Sequence, residues 1–193
     1  LSAQFGVRSI PNVKAFVDGK LVDECLGAQP ESAVREFIDG LMPSPGEVLR
    51  AMECGWQPDE ISFTGTNVSE RDLDVLLAHG IHLNLDGISQ LERYGRRAPG
   101  SRIGLRLDPA TGAGYNEHLE YSGATPSKFG IALERFHEAL AVATRHRLAI
   151  DTVHIHAGSG WLGDGIAAFE AALVPLVEAV AMVRAAGHDV REV

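Results

Sequence analysis

From Ser44 onward, short apolar runs suited to strands alternate with stretches of helical period, and this alternation constrains the fold more than any other feature of the chain. Ser44, Pro45 and Glu47 read as a capping box, with Ser44 as N-cap, Pro45 at the first helical position and Glu47 reaching back; the helix stops at Gly55. Ile61 to Gly65 is a short strand, and Ser69 with Asp72 caps a helix that runs through Leu73, Leu76 and Leu77 to Gly80. Ile81 to Asp86 (IHLNLD) is the next strand, followed by a helix around Ile88 to Tyr94 and a strand from Arg102 to Leu107 (RIGLRL). After a long polar excursion come a helix near Leu133 to Arg145, a strand ending in His154 and His156, and a helix near Ile166 to Ala186 that stops at Gly187. Four strands separated by helices imply parallel βαβ units.

Residues 1–43 have a different pattern. Val13 to Val17 and Leu21 to Leu26 are strand-like runs joined by Asp18-Gly19, a strong hairpin signal. A helix follows from about Pro30, with Ala33, Val34, Phe37, Ile38 and Leu41 on one face. The order is strand, strand, helix.

Charge and cysteine usage narrow the function classes. A formal net charge of −9, with 14 arginines scattered along 193 residues, repels phosphate backbones and argues against a nucleic-acid partner. Cys25 and Cys54 are too far apart for a CxxC pair, which fits a reducing, cytoplasmic setting. No apolar run has the length of a membrane span and no signal peptide is visible, so no membrane role is expected. The chain opens at Leu1 without Met and stops within a strand-like Arg-Glu-Val, so both ends are expected to be cuts through a longer protein.

In a βα barrel or open α/β sheet, reactive groups gather where strands end. That rule singles out Asn67, Asp86, Arg106 and the run His154 to Ser159. Asn67 and Asp86 also read simply as cap or turn residues. Arg106, inside an apolar strand, needs partners if it turns inward, the orientation expected here, because a buried unpaired charge is expensive. Strand alternation puts His154 and His156 on one face, while Gly158 and Gly160 let backbone N–H groups approach a bound group and Ser159 adds a hydroxyl. The ligand this pattern suits is flat and phosphorylated.

Two resemblances follow from these residues. FGVRSIPN followed by VKAFVDGKLVDECLGAQPESAVREFIDGL resembles the C-terminal half of thioredoxin, which implies a cis Ile10-Pro11 bond. Asn12 stands where that family has threonine, and its WCGPC segment is absent, so no disulfide exchange is implied. The ordered series SPGEVLRAMECGW, ISFTGTN, IHLNLD, IGLRLDP, TPSKFGI and VHIHAGSGWL resembles the pyridoxal-phosphate decarboxylases of the diaminopimelate, ornithine and arginine group, which share an alanine-racemase-like barrel. This second resemblance implies pyridoxal 5'-phosphate as cofactor and an amino acid as substrate. It implies that His156 stacks on the cofactor ring, that Ser159, with Gly158 and Gly160, holds the phosphate, and that Arg106 sits beneath the ring. Glu47 matches the family's SxGE glutamate.

The expected architecture is therefore α/β: a thioredoxin-like half domain over residues 1–43, then an incomplete parallel βα (TIM-type) barrel over residues 44–193. The family's cofactor-binding lysine lies on the first barrel strand, and the three lysines here, Lys14, Lys20 and Lys128, do not match that position. The later phosphate loop, the acidic partner of the pyridine nitrogen and the C-terminal β domain are also missing. The first strand is expected to be replaced at MPSPGE, as in a recombination, an assembly error or a deliberate chimera. No residue is assigned to catalysis, and a decarboxylase fragment inactive alone is expected. Four strands cannot close a barrel, so Leu83, Leu85, Leu105 and Ile155 are expected on its inner side short of partners, with self-association or a homo-oligomer as the result. Two rivals remain: a metal-dependent hydrolase with His154 and His156 as ligands and His82 and Asp86 as further candidates, and a non-catalytic thioredoxin-like adaptor or holdase.

Overall fold

The computed structural model describes residues 12–17, 20–30, 33, 45–66, 68–110, 129–158 and 165–193. The chain divides into two units, Leu1–Ser44 and Pro45–Val193.

In the first unit, β1 (Asn12–Val17) and β2 (Lys20–Leu26) pair antiparallel, with a register shift between Ala15 and Phe16. The Asp18-Gly19 turn, the Ile10-Pro11 bond and most of the expected helix lie outside the described residues. Of that helix only Ala33 is described, its N–H donating to Pro30 O.

The second unit begins with α1 (Pro45–Glu53), whose first residue is the proline that sequence places there; Ser44 is outside the described residues. β3 (Ser62–Thr64) follows, then α2 (Glu70–Ala78), β4 (His82–Leu85), α3 (Ile88–Arg97) and β5 (Arg102–Asp108). Ser69 caps α2 reciprocally: its hydroxyl accepts from the Asp72 N–H while the Asp72 carboxylate accepts from the Ser69 N–H. After the excursion come β6 (Ile131–Ala132), α4 (Phe136–His146), β7 (Ala149–Ile155) and α5 (Gly165–Ala185).

All pairings in this sheet are parallel, and β5 is its hub. β4 meets β5 at Asn84 and Gly104, β7 runs along β5 from Arg102 to Leu107, and β6 meets Leu107 and Asp108. Leu107 pairs with both Ile131 and Ile155, so β6 and β7 lie on opposite edges of β5. Among the described residues the sheet thus has five strands where the sequence suggested four. The additional strand is two residues long, too short to leave a periodic signature. Beyond β7 the chain returns to the sheet: the Val153 N–H donates to Glu192 O, and Thr152 bridges Glu192 in parallel.

The two faces of the sheet differ sharply. Phe63, Leu83, Leu85, Ile103, Leu105, Leu107, Ile150 and Val153 share one apolar cluster with Leu73 and Leu76 of α2, Leu91 and Tyr94 of α3, Phe136 and Ala139 of α4, and Ala179 and Val183 of α5. Leu83, Leu85 and Leu105 are therefore buried against helices, and Ile155 packs on the same cluster. The expectation that they line the barrel interior without partners is corrected. Strand alternation puts Ser62, Thr64, His82, Asn84, Gly104, Arg106 and His154 on the other face, and it is this polar set that a closed barrel would enclose.

Candidate functional site

The polar face carries two clusters, one at each end of the strands. At the carboxyl end Arg106 and His154 are register partners on β5 and β7. The Arg106 side chain turns inward, only 12% exposed, and its Nη1 lies 3.8 Å from Asp86 Oδ2, just beyond β4. Asp86 is itself 7% exposed and accepts a 2.6 Å hydrogen bond from Thr66 Oγ1. The guanidinium carbon stands 4.9 Å from the centroid of the Phe129 ring, within cation–π range. Phe129 reaches that position because the next residue is Gly130, at φ 79°: a Cβ there would come within 2.6 Å of the Asp108 backbone nitrogen. Only glycine lets the returning chain approach the end of β5 so closely.

Electrostatics at this end favour neutral imidazoles beside a fixed cation. Burial lowers the His154 pKa below its ordinary value, and the positive fields of Arg106 and His156 lower it further. His156 is lowered by burial and then by Arg106. The shifts favour the neutral form of both rings at pH 7, beside the permanent charge of Arg106. Asp86 is pushed up by burial, against the opposing pull of the Thr66 hydroxyl and Arg106. His154 Nδ1 is buried without a hydrogen-bond partner. A buried polar atom left in that state costs free energy that a bound donor or acceptor would recover. Gly158, at φ 110°, turns the chain just after His156. Asn67, Lys128, Ser159 and Gly160 lie outside the described residues.

The amino end was not foreseen as a cluster. His82 Nε2 is 2.8 Å from Asp151 Oδ1, and the Thr152 hydroxyl donates to the same oxygen at 3.3 Å. Asp151 and Thr152 are consecutive yet share a face because the register between β5 and β7 slips there: Ile103 pairs with Ile150 but Gly104 pairs with Thr152. A cleft of about 450 Å³ opens beside them, lined also by Ser62, Arg102 and Arg191. His82 belongs to this end and His154 to the other, so the sheet does not assemble the ligand set of the metal-hydrolase rival. Among the described residues no group of three or more His, Cys, Asp or Glu side chains could hold a metal ion.

The residues that sequence reasoning missed are Thr66, Phe129, Asp151 and Thr152. Gly130, flanked by two apolar residues after a long polar stretch, was the one sequence signal for Phe129.

The second unit and its site have relatives. A family profile described as the pyridoxal-binding domain of the pyridoxal-dependent decarboxylases matches residues 42–193. The chain belongs to that decarboxylase family. A diaminopimelate decarboxylase of Methanothermobacter thermautotrophicus is 42% identical over 126 residues, covering 62% of this chain and 28% of that protein. The Streptomyces coelicolor diaminopimelate decarboxylase is 31% identical over 154 residues, 78% of this chain and 33% of its own length. The crystal structure of the Helicobacter pylori diaminopimelate decarboxylase complexed with L-lysine superposes with a TM-score of 0.68 at 25% identity, covering 77% of this chain and 38% of that one. The chain thus spans about a third of the length of such relatives. Its parallel sheet is a portion of the decarboxylase TIM-type barrel, and the cofactor for which that domain is built is pyridoxal phosphate.

The carboxyl end of the polar face fits a flat anionic group. It offers a cation held in place, two neutral rings, an orphaned buried nitrogen and a glycine turn.

Proposed function

We propose that this chain is a segment of a diaminopimelate decarboxylase-like enzyme, able to hold pyridoxal phosphate by non-covalent contacts but not to complete decarboxylation alone. The observation that carries the reading is the register pairing of Arg106 with His154 on the polar face, with Arg106 anchored by Asp86. Arg106 would offer its charge to the phenolic or carboxylate oxygens of the bound group. His156 offers a neutral ring for stacking, and Gly158, with Ser159 and Gly160 after it, supplies small residues whose N–H groups suit a phosphate. Neutral His154 contributes one nitrogen to orientation. When bound, pyridoxal phosphate supplies the electron sink that takes up the charge left when a carboxylate leaves as CO₂.

The positions of the lysines support the second half of that proposal. Lys14 and Lys20 belong to the first unit, and Lys128 follows the third of the strands legible in the sequence, so the described part of the barrel presents no amine to the cofactor. The amino acid acted on by the parent enzyme would be a basic or diamino-dicarboxylic one, in keeping with relatives that are diaminopimelate decarboxylases. For the first unit we propose a thioredoxin-like half domain, a reading supported by its antiparallel hairpin.

Borohydride reduction with pyridoxal phosphate, followed by peptide mapping, tests the absence of an active lysine. Labelling should be spread at low level over Lys14, Lys20 and Lys128, with no CO₂ released from diaminopimelate, ornithine or arginine. Full labelling at Lys128 together with CO₂ release would refute the reading.

A further inference from the structure

Asp86 lies directly before α3, where an acidic residue ordinarily serves the exposed N–H groups of a helix. It does not serve them here. The N-cap of α3 is Gly87, without a side-chain cap, and the Asp86 carboxylate turns instead toward Thr66 and Arg106. Its backbone is clamped as well: the Asp86 N–H donates to Gln90 Oε1 at 2.9 Å, and Gln90 Nε2 donates to Gly65 O at 3.0 Å. Gln90 is 4% exposed, so this clamp is inside the protein and its geometry is tightly held. A chain of contacts thus runs from the end of β3 through Gln90 and Asp86 to the guanidinium, whose other side faces Phe129.

We propose that Asp86 is the positioning residue for Arg106, holding the guanidinium on the histidine side of the sheet so that the cofactor end of the site presents a fixed cation. The inference rests on the cofactor reading only for the identity of the ligand; the positioning itself is a property of the chain. Without the carboxylate the arginine side chain has several low-energy routes to water, since its head group is strongly solvated and its stem flexible. Thr66 and Gln90 then matter as the supports that keep the carboxylate aimed.

Histidine titrations read this arrangement without any ligand. Imidazole proton resonances of His154 and His156, assigned with single His→Gln variants, are followed against pH in the full 193-residue chain. Arg106 acts on both rings, and His156 adds to its effect on His154. In Asp86→Asn the guanidinium leaves, and both histidines should titrate higher by roughly half to one pH unit. Arg106→Met, which keeps the carboxylate, should give at least that rise, and adding Asp86→Asn to it should raise the values no further. If Asp86 only shielded a guanidinium that stays in place, Asp86→Asn would lower both values. A lowered or unchanged titration therefore overturns the proposal. Thr66→Val, which keeps both charges and removes one support, should give a smaller rise and serves if Asp86→Asn does not fold. Glu138→Gln, on an exposed pair with Arg135, should move neither histidine. Equilibrium dialysis of pyridoxal phosphate against the same proteins separates the two ideas: no binding to wild type with the predicted titrations rejects the cofactor reading and leaves the positioning role standing.

Discussion

The Asn84 carboxamide lies directly over Gly104: a Cβ at residue 104 would stand 1.9 Å from Asn84 Oδ1 and 3.1 Å from the Cβ of Thr152. Asn84 Nδ2 reaches across to donate to Ser62 Oγ and Thr64 Oγ1, each at 3.0 Å, which fixes the carboxamide in that position. Oδ1 has no partner. The missing side chain at 104 is what allows the polar face to pack in one layer across β3, β4, β5 and β7.

Gly104→Ala should therefore be destabilising by roughly 1–3 kcal/mol, as overpacking of a close-packed interior is. Urea unfolding followed by circular dichroism measures it. Combining it with Asn84→Ala, which removes the colliding carboxamide, should recover part of the loss, whereas independent sites would simply add. Full additivity would mean that the close approach is not the cause.

Much of the second unit was legible because its strands and helices obey simple periods and carry explicit stop signals. The Ser69 cap, the turn at Gly80, the strand through Arg106 and the ending of α5 just before Gly187 all follow from side-chain chemistry local in sequence. The orientation of the sheet was harder. Leu83 and Leu85 alternate with His82 and Asn84, and alternation alone does not say which set faces helices. In this barrel portion the apolar set packs on the helices, which leaves the polar set, linked by hydrogen bonds such as those of Asn84, on the opposite face. Asp151 was invisible because a register slip, not a period, brings it to His82. Phe129 sits outside any long regular element, so only tertiary folding puts it against Arg106.

The depressed histidines give a signed pH dependence. His154, His156 and His188 all have folded-state values below the ordinary ~6.5, each with burial as the largest cause. Below that pH the unfolded chain binds more protons than the folded one, so stability rises with pH up to about 6.5 and is lost as pH falls through the folded-state values. Thermal midpoints at pH 5.5 should lie below those at pH 7.5, and His154→Gln should shrink the difference. A midpoint that is higher at pH 5.5 would contradict this assignment.

Helix α5 should drive self-association. Its buried side carries Ala172, Ala179 and Val183, yet Ile166, Val174 and Val177 are each about two-thirds exposed at 67%, 66% and 69%. A helix apolar on nearly all sides is normally enclosed. Sedimentation should show association that grows with concentration, and the double change Val174→Lys with Val177→Glu should shift the population toward monomer with helical content intact.

The carboxyl end of the polar face should hold pyridoxal phosphate without a covalent bond. Equilibrium dialysis of pyridoxal phosphate, with the lysines blocked by reductive methylation, measures this most directly. Wild type should bind one equivalent, and Arg106→Met should weaken binding at least about tenfold, the loss expected when a charged hydrogen-bonding partner is removed. Equal affinity of the wild type and Arg106→Met, or no saturable binding by methylated wild type, would contradict the account.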